Sequence, residues 1–280
     1  MSGSLEGQVA LVTGGARGMG RSHAVALARA GAEVVVLVDA CAPMASAAYP
    51  MATEADLAET AALVEEAGGT AVTHVADVRD AAALDGIVAE AVERHGRLDI
   101  AIANAGVSHT GTITDEDPAL FQEVVDVNLV GTFNTFRAVA PHMQAARYGR
   151  LVAVSSMMGR AANPTLSAYC SSKWGVIGLV KAAAYDLGAH GVTVNAVAPG
   201  NIATPMVLNE HMYRTMRPDL ADPGPDDMAP VMTGLHAQPV PWLEPEEVTR
   251  AVLYLVDPGA QHITGTVMDV SAGASVRFTA

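Results

Sequence analysis

Apolar runs without alternation, each about the length of one β-strand, recur along this chain with longer stretches of helical character between them. Val9 to Val12 and Val34 to Val38 are the clearest examples. A strand with one wet face alternates apolar and polar side chains, so an uninterrupted apolar run reads as a strand covered on both faces by helices. The same reading places strands at Ala71 to Ala76, Leu98 to Ala103, Arg150 to Val154, Val192 to Val197 and Thr264 to Val270. Helices are expected near Gly20 to Ala30, Glu54 to Ala67, Ala81 to Arg94, Pro118 to Ala146, Ala168 to Ala189 and Pro245 to Val256. Strands and helices in strict succession predict an α/β fold, a doubly wound parallel sheet of about seven strands with right-handed crossovers. A single domain over residues 1–280 is the expectation, because such sheets hold about 250 residues around one core.

Composition removes several function classes. The chain carries 16 basic and 30 acidic residues, a formal charge of −14, and only 4% of it is aromatic. It lacks the basic footprint and the stacking platforms that nucleic-acid binding needs. Its longest wholly aliphatic run, Val34 to Val38, is far short of the roughly 18 residues of a membrane helix. No basic residue precedes Arg17, and Cys41 and Cys170 form neither a disulfide framework nor a metal cluster. A cytoplasmic location is expected. The nine histidines show no His-x-x-x-His or His-Glu-x-x-His spacing, so no metal site is expected.

Chemistry enters at Val9-Ala-Leu-Val-Thr-Gly-Gly-Ala-Arg-Gly-Met-Gly20, where a buried strand passes into a helix through Gly14, Gly18 and Gly20. Glycines let the backbone approach a ligand closely, and a helix amino terminus offers free N–H groups to a pyrophosphate. The next strand ends at Asp39, about 20 residues on, where a carboxylate can accept the ribose hydroxyls of adenosine and repel a 2′-phosphate. A Rossmann-type dinucleotide site with NAD as cofactor follows, although Arg17 lies close enough to accommodate such a phosphate. The rival reading is a triphosphate-binding loop at Gly15 to Ser22. Arg21 stands where that loop requires lysine, and a planar guanidinium does not replace a compact ammonium.

Tyr169 and Lys173 lie four apart in an expected helix, and Ser156 precedes Tyr169 by thirteen residues, just after an apolar strand. A lysine beside a tyrosine stabilises the phenolate and lets a group of ordinary pKa near 10 exchange protons near neutrality. Taken alone, the pair is equally an ordinary helix-surface contact.

Taken together, these motifs resemble the short-chain dehydrogenase/reductase family over nearly the whole chain. Thr13-Gly14-x-x-x-Gly18-x-Gly20 matches the family's cofactor turn, Asp77-Val78 its adenine contact, and Asn104-Ala105-Gly106 the segment closing the cofactor cleft. Pro199-Gly200 with Thr204 matches the strand end beside the nicotinamide, and Arg17, Met19 and Ile202 fall among the implied cofactor contacts. The resemblance implies a catalytic tetrad of Asn128, Ser156, Tyr169 and Lys173. By it Tyr169 is the general acid/base, Ser156 orients the substrate oxygen, Lys173 lowers the tyrosine pKa and binds ribose, and Asn128 holds a water in a proton relay. Ser155 is the competitor for the serine role, and the interval to Tyr169 favours Ser156. A homotetramer is also implied.

Two segments break the strand–helix rhythm. Residues 40–53 replace a tight turn with a loop containing Pro43 and Pro50, ending in a capping box from Thr53 to Asp56. This insertion, with Tyr49-Pro50-Met51-Ala52-Thr53, Val240-Pro241-Trp242-Leu243-Glu244-Pro245 and Thr264-Gly265, resembles the mycofactocin-associated, carveol dehydrogenase-like subgroup. That resemblance implies NAD(H) held without ready exchange beneath the insertion and reoxidised by a separate redox carrier, mycofactocin. The second segment, about residues 205–241, holds seven of the fifteen prolines and five of the thirteen methionines. It reads as a deformable lid over a hydrophobic alcohol or ketone, or as a surface excursion at an oligomer interface.

The expected function is NAD-dependent hydride transfer to or from a hydrophobic secondary alcohol or ketone, carveol-like or another cyclic alcohol. The alternatives are a non-catalytic NAD-binding regulator, or a reductase of steroid, 3-oxoacyl or sugar carbonyls. His109 and Cys170 read as a plain loop residue and a small buried helix residue.

Overall fold

The computed structural model describes residues 4–277. Among the described residues, seven strands alternate with nine α-helices: β1 (Val9–Thr13), α1 (Gly18–Arg29), β2 (Val34–Asp39), α2 (Glu54–Glu66), β3 (Thr70–Val75), α3 (Ala81–His95), β4 (Ile100–Ala103), α4 (Pro118–Val125), α5 (Gly131–Ala146), β5 (Gly149–Val154), α6 (Ser167–Gly188), β6 (Val192–Pro199), α7 (Glu210–Met216), α8 (Pro225–Thr233), α9 (Pro245–Val256) and β7 (Val267–Val270). All neighbouring strands are parallel, in the order β3-β2-β1-β4-β5-β6-β7. The order reverses between β1 and β4, and in such a sheet ligands bind beyond the carboxyl ends of the strands at that point.

The uninterrupted apolar runs are the strands buried on both faces. One face packs Leu84 and Val88 of α3, Val139 and Met143 of α5 and Val176 and Val180 of α6. The other packs Leu27 of α1, Leu57 and Val64 of α2 and Val248 and Leu255 of α9. The edge strands β3 and β7 depart from the pattern and leave side chains partly exposed, since each has a neighbour on one side alone. No helix among the described residues is long and apolar enough to cross a membrane.

Local signals were read well at α2, whose Thr53 and Asp56 satisfy one another's end of the helix in a capping box. The single helix expected from Pro118 to Ala146 is instead two helices joined by a π-helical turn at Asp126–Val130. The extra residue of that turn carries Asn128 inward to Val107. Proline does not prevent helix in the 205–241 segment. It begins α8 at Pro225, where no amide hydrogen is needed, and it keeps α7 and α8 short.

The α1–α9 contact contains an acid-sensitive group. His23 is fully buried, its Nδ1 lies 2.7 Å from Thr249 Oγ1 and its Nε2 has no protein partner. Burial pushes its pKa down to about 3. The unfolded chain therefore binds a proton that the native state refuses, and this stability is lost as pH falls below about 6.5, by up to about 1.4 kcal/mol per unit. Denaturant unfolding at pH 7 and pH 5 should show a shallower acid loss in His23→Leu than in the parent. Parallel losses would rule out His23 as the source.

Candidate active site

The strand ends around the reversal point carry two clefts that meet. The first is lined by the glycine turn, Asp39, Asp77, Val78, Asn104 to Val107 and Thr204, and by Met44, Tyr49, Met51 and Ala52 of the insertion. The second is lined by Ser156, Tyr169, Lys173, Pro199 to Ile202, Thr204 and a set of methionines. Met19, Asn104, Gly106, Thr204 and Met206 border both.

The first cleft is shaped for a flat, extended, polar ligand. Gly14 and Gly18 have φ of +65° and +57°, and a Cβ at Gly20 would overlap the Gly14 carbonyl oxygen, so each position admits only hydrogen. Asn104 fixes the turn by donating from Nδ2 to the Thr13 and Gly14 carbonyls, each at 3.0 Å, and its Oδ1 is left buried without a protein partner. Asp39 closes the end of β2, accepting from the amides of Ala16 at 3.1 Å and Cys41 at 3.1 Å. Arg17 donates to the Pro50 carbonyl of the insertion. Asp77 is paired with Arg79 at 2.6 Å; burial alone would raise its carboxyl, but the arginine's hydrogen bonds and charge outweigh it and hold the group low.

The second cleft brings three of the four tetrad residues to one place. Ser156 follows β5, and its Oγ accepts from the Met158 amide at 3.1 Å; Tyr169 lines the same cleft. Ser155 borders the same cleft, but its hydroxyl donates to the Lys173 carbonyl at 3.0 Å, which favours Ser156 as the serine free to meet a substrate oxygen. One turn below Tyr169 on α6, the Lys173 ammonium stands 5.6 Å from the tyrosine ring centroid and donates to the Val154 carbonyl at 2.9 Å. Burial raises the Tyr169 pKa and the Ser156 hydroxyl beside it pulls the other way.

Lys173 is 4% exposed, and burial lowers its pKa to about 8. Its folded pKa lies below the unfolded value of 10.5, so the native state pays for holding the ammonium at neutral pH, and the cost fades as pH rises from about 8 to 10.5. That cost is about 3 kcal/mol, offset by about 1 kcal/mol for the hydrogen bond to Val154. Cofactor-stripped Lys173→Met should therefore be more stable than the parent by about 2 kcal/mol at pH 7 in denaturant unfolding, with the gap closing toward pH 10.5. A less stable variant at pH 7 would contradict the burial argument.

The Asn128 side chain is held by protein partners. Its Oδ1 accepts from the Val107 amide at 2.8 Å, and its Nδ2 donates to the Val107 carbonyl at 2.9 Å and Ser172 Oγ at 3.0 Å. It braces the wall between the two clefts.

Residues 40–53 lie against the first cleft, where the expected insertion falls, but the individual contacts of its side chains were not foreseen: the Tyr49 hydroxyl accepts the Ser108 amide at 3.3 Å and burial pushes its phenol up to about 12. The Ser46 amide donates to Glu123 at 2.7 Å. His109 joins its loop to the insertion: its Nδ1 meets the Ser46 carbonyl at 3.2 Å while Nε2 lies 3.4 Å from Glu116. A lone aromatic in a loop of small residues was the available signal for Tyr49. The partners of His109 lie 63 and 7 positions away in the chain, the first well beyond any local pattern. Cys170 is buried on α6 as expected.

The chain's residues 8–213 match the short chain dehydrogenase family model. It belongs to the short-chain dehydrogenase/reductase family. Among its relatives is the (−)-trans-carveol dehydrogenase of Rhodococcus erythropolis, 40% identical over 98% of this chain and 99% of that one. Among solved structures, carveol dehydrogenase from Mycobacterium avium in complex with NAD superposes with a TM-score of 0.96 at 42% identity, covering 98% of this chain and all of the other. A short chain dehydrogenase from Mycobacterium paratuberculosis bound to NAD follows with a TM-score of 0.88 and 36% identity, over 98% of this chain and all of that one.

Proposed function

We propose that this protein is an NAD-dependent oxidoreductase that moves a hydride between the nicotinamide and the carbinol carbon of a hydrophobic secondary alcohol, of the carveol-like cyclic class. The observation that carries this reading is that Ser156, Tyr169 and Lys173 line one cleft, and that this cleft joins the glycine-lined one. The bound cofactor supplies the hydride acceptor, or the donor in the reverse direction. Asp39 would hold the adenosine ribose, Asn104 Oδ1 and the glycine turn would receive the rest of the dinucleotide, and Pro199, Gly200, Ile202 and Thr204 would border its reactive end. Ser156 Oγ hydrogen-bonds the substrate oxygen. Tyr169 removes the hydroxyl proton as a carbinol is oxidised and returns it when a carbonyl is reduced. Lys173 supplies positive charge beneath the ring and donors for the ribose, and Asn128 positions the wall that Gly106 shares with it.

The substrate's apolar body is accommodated by Met157, Met158, Met206, Met212, Met216 and Met232, whose flexible thioethers conform to a ring without directional demands. Residues 205–241 serve as the lid on this cleft. Residues 40–53 close the other, and the tethers from Arg17, Ser108, His109 and Glu123 support slow cofactor exchange, with mycofactocin as the external redox carrier. A cytoplasmic homotetramer is the assembly we propose. Exposed Val130, Phe133 and Trp174, in and after the π turn and on α6, supply apolar surface for it.

Exhaustive desalting, denaturation and mass identification of the released nucleotide tests the cofactor assignment. Stoichiometric NAD or NADH is expected. An empty protein that binds NADP better than NAD would overturn it.

A further inference from the structure

The lid contributes Met206, Val207, Met212, Met216, Met232 and Leu235 to the substrate cleft, and Asn201 is one of three amide side chains, with Asn104 and Asn163, that line the same cleft. Asn201 sits on the bend after β6, where its carbonyl accepts the Leu243 amide at 2.9 Å and fixes the local backbone. Its Nδ2 lies 3.1 Å from Nε2 of His236, a side chain only 6% exposed. The other ring nitrogen of His236, Nδ1, lies 2.6 Å from the Val240 carbonyl oxygen.

The hydrogen-bond inventory of this trio fixes the direction of the amide. A carbonyl oxygen can only accept, so Nδ1 of His236 carries the hydrogen, and the neutral imidazole then presents Nε2 as an acceptor. An acceptor there requires a donor from Asn201, which places the NH2 group toward the histidine and turns Oδ1 away from it. Among the described residues no group donates to Asn201 Oδ1, yet it is not among the fully buried polar atoms left without a partner. It remains reachable on a residue that lines the cleft.

We propose that Asn201 is a specificity-determining residue, with Oδ1 accepting a hydrogen bond from a second donor, a hydroxyl, carried by the substrate away from the carbon that is oxidised. This rests on the dehydrogenase reading above. The favoured substrate class is an apolar ring bearing two hydroxyls, one delivered to Ser156 and Tyr169 and one to Asn201. Because Oδ1 only accepts, an ether or ketone at the second position gains nothing. His236 acts through Asn201 as a positioning residue.

The test compares cyclohexanol, the cyclohexanediols and their monomethyl ethers, with a soluble redox dye reoxidising the bound cofactor. The parent protein should show kcat/KM about tenfold higher for the best diol than for cyclohexanol or the ethers, the range of one neutral hydrogen bond in a dry site. In Asn201→Leu the diol-to-cyclohexanol ratio should fall to about one, and in Asn201→Asp, which keeps an acceptor, the preference should survive. Calorimetric binding of the same compounds separates this claim from the reading it rests on. Diol-selective binding without turnover would uphold Asn201 and sink the dehydrogenase assignment. Turnover without diol preference, or a ratio that Asn201→Leu leaves unchanged, would overturn the role of Asn201 and leave the enzyme reading standing. Absence of both binding and turnover would overturn both.

Discussion

Tyr169→Phe is expected to lower the rate of alcohol oxidation by about 10³- to 10⁴-fold while leaving the bound nucleotide content and the fold intact. The substitution removes one oxygen atom from a ring that otherwise keeps its packing on α6. The lost group is the titratable hydroxyl that lines the cleft beside Ser156, the one we assign to take the hydroxyl proton. Proton transfer by a positioned side chain accounts for about 10² to 10⁴ of an enzyme's rate, so a much smaller loss would assign the proton to another group. The pH profile carries the same claim. Burial raises the Tyr169 pKa, and oxidation needs the ionised phenol, so the oxidation rate should climb with pH through the alkaline range while carbonyl reduction, which needs the protonated form, should fall.

Removal of residues 42–51 is expected to convert a retained cofactor into an exchanging one. The deletion abolishes four tethers: Arg17 to Pro50, Ser108 to Tyr49, His109 to Ser46, and Ser46 to Glu123. At about 1 kcal/mol net for each, cofactor release should accelerate by on the order of 10²- to 10³-fold, because interface losses of this kind act mainly on dissociation. Asp39 and the glycine turn lie outside the deletion, so NAD should still bind. Stopped-flow displacement of the nucleotide measures the change directly. Release as slow as in the parent would show that the insertion does not retain the cofactor.

The parts of the fold that were legible in the sequence are those governed by short-range pattern. Val9 to Val12 and Val34 to Val38 announced strands covered on both faces, and Thr53 with Asp56 announced the start of α2, because each rests on neighbours within a few residues. The break in the Pro118–Ala146 helix was not legible. It follows from Asn128 reaching Val107 and from Gly131 packing against Val78, contacts that no helical periodicity records. The site divides in the same way. Gly14, Gly18, Gly20 and Asp39 could be placed from strand–turn–helix logic, and Ser156 and Tyr169 meet as their spacing required. Long-range chemistry was invisible: Arg17 spent on Pro50, Lys173 turned to the Val154 carbonyl, and Asn201 oriented by a histidine 35 residues away.

The central claim is that a hydrophobic secondary alcohol delivers its hydride to a nicotinamide held in this chain, and a single-turnover experiment tests it most directly. The desalted protein would be mixed anaerobically with carveol, without added cofactor or electron acceptor, while the near-ultraviolet absorbance of reduced nicotinamide is followed and the ketone is quantified. The account predicts one equivalent of reduced nicotinamide and one of ketone per oxidised cofactor initially bound, and neither at a detectable rate in Tyr169→Phe. Ketone formed without reduced nicotinamide, or an equal yield and rate in Tyr169→Phe, would contradict it.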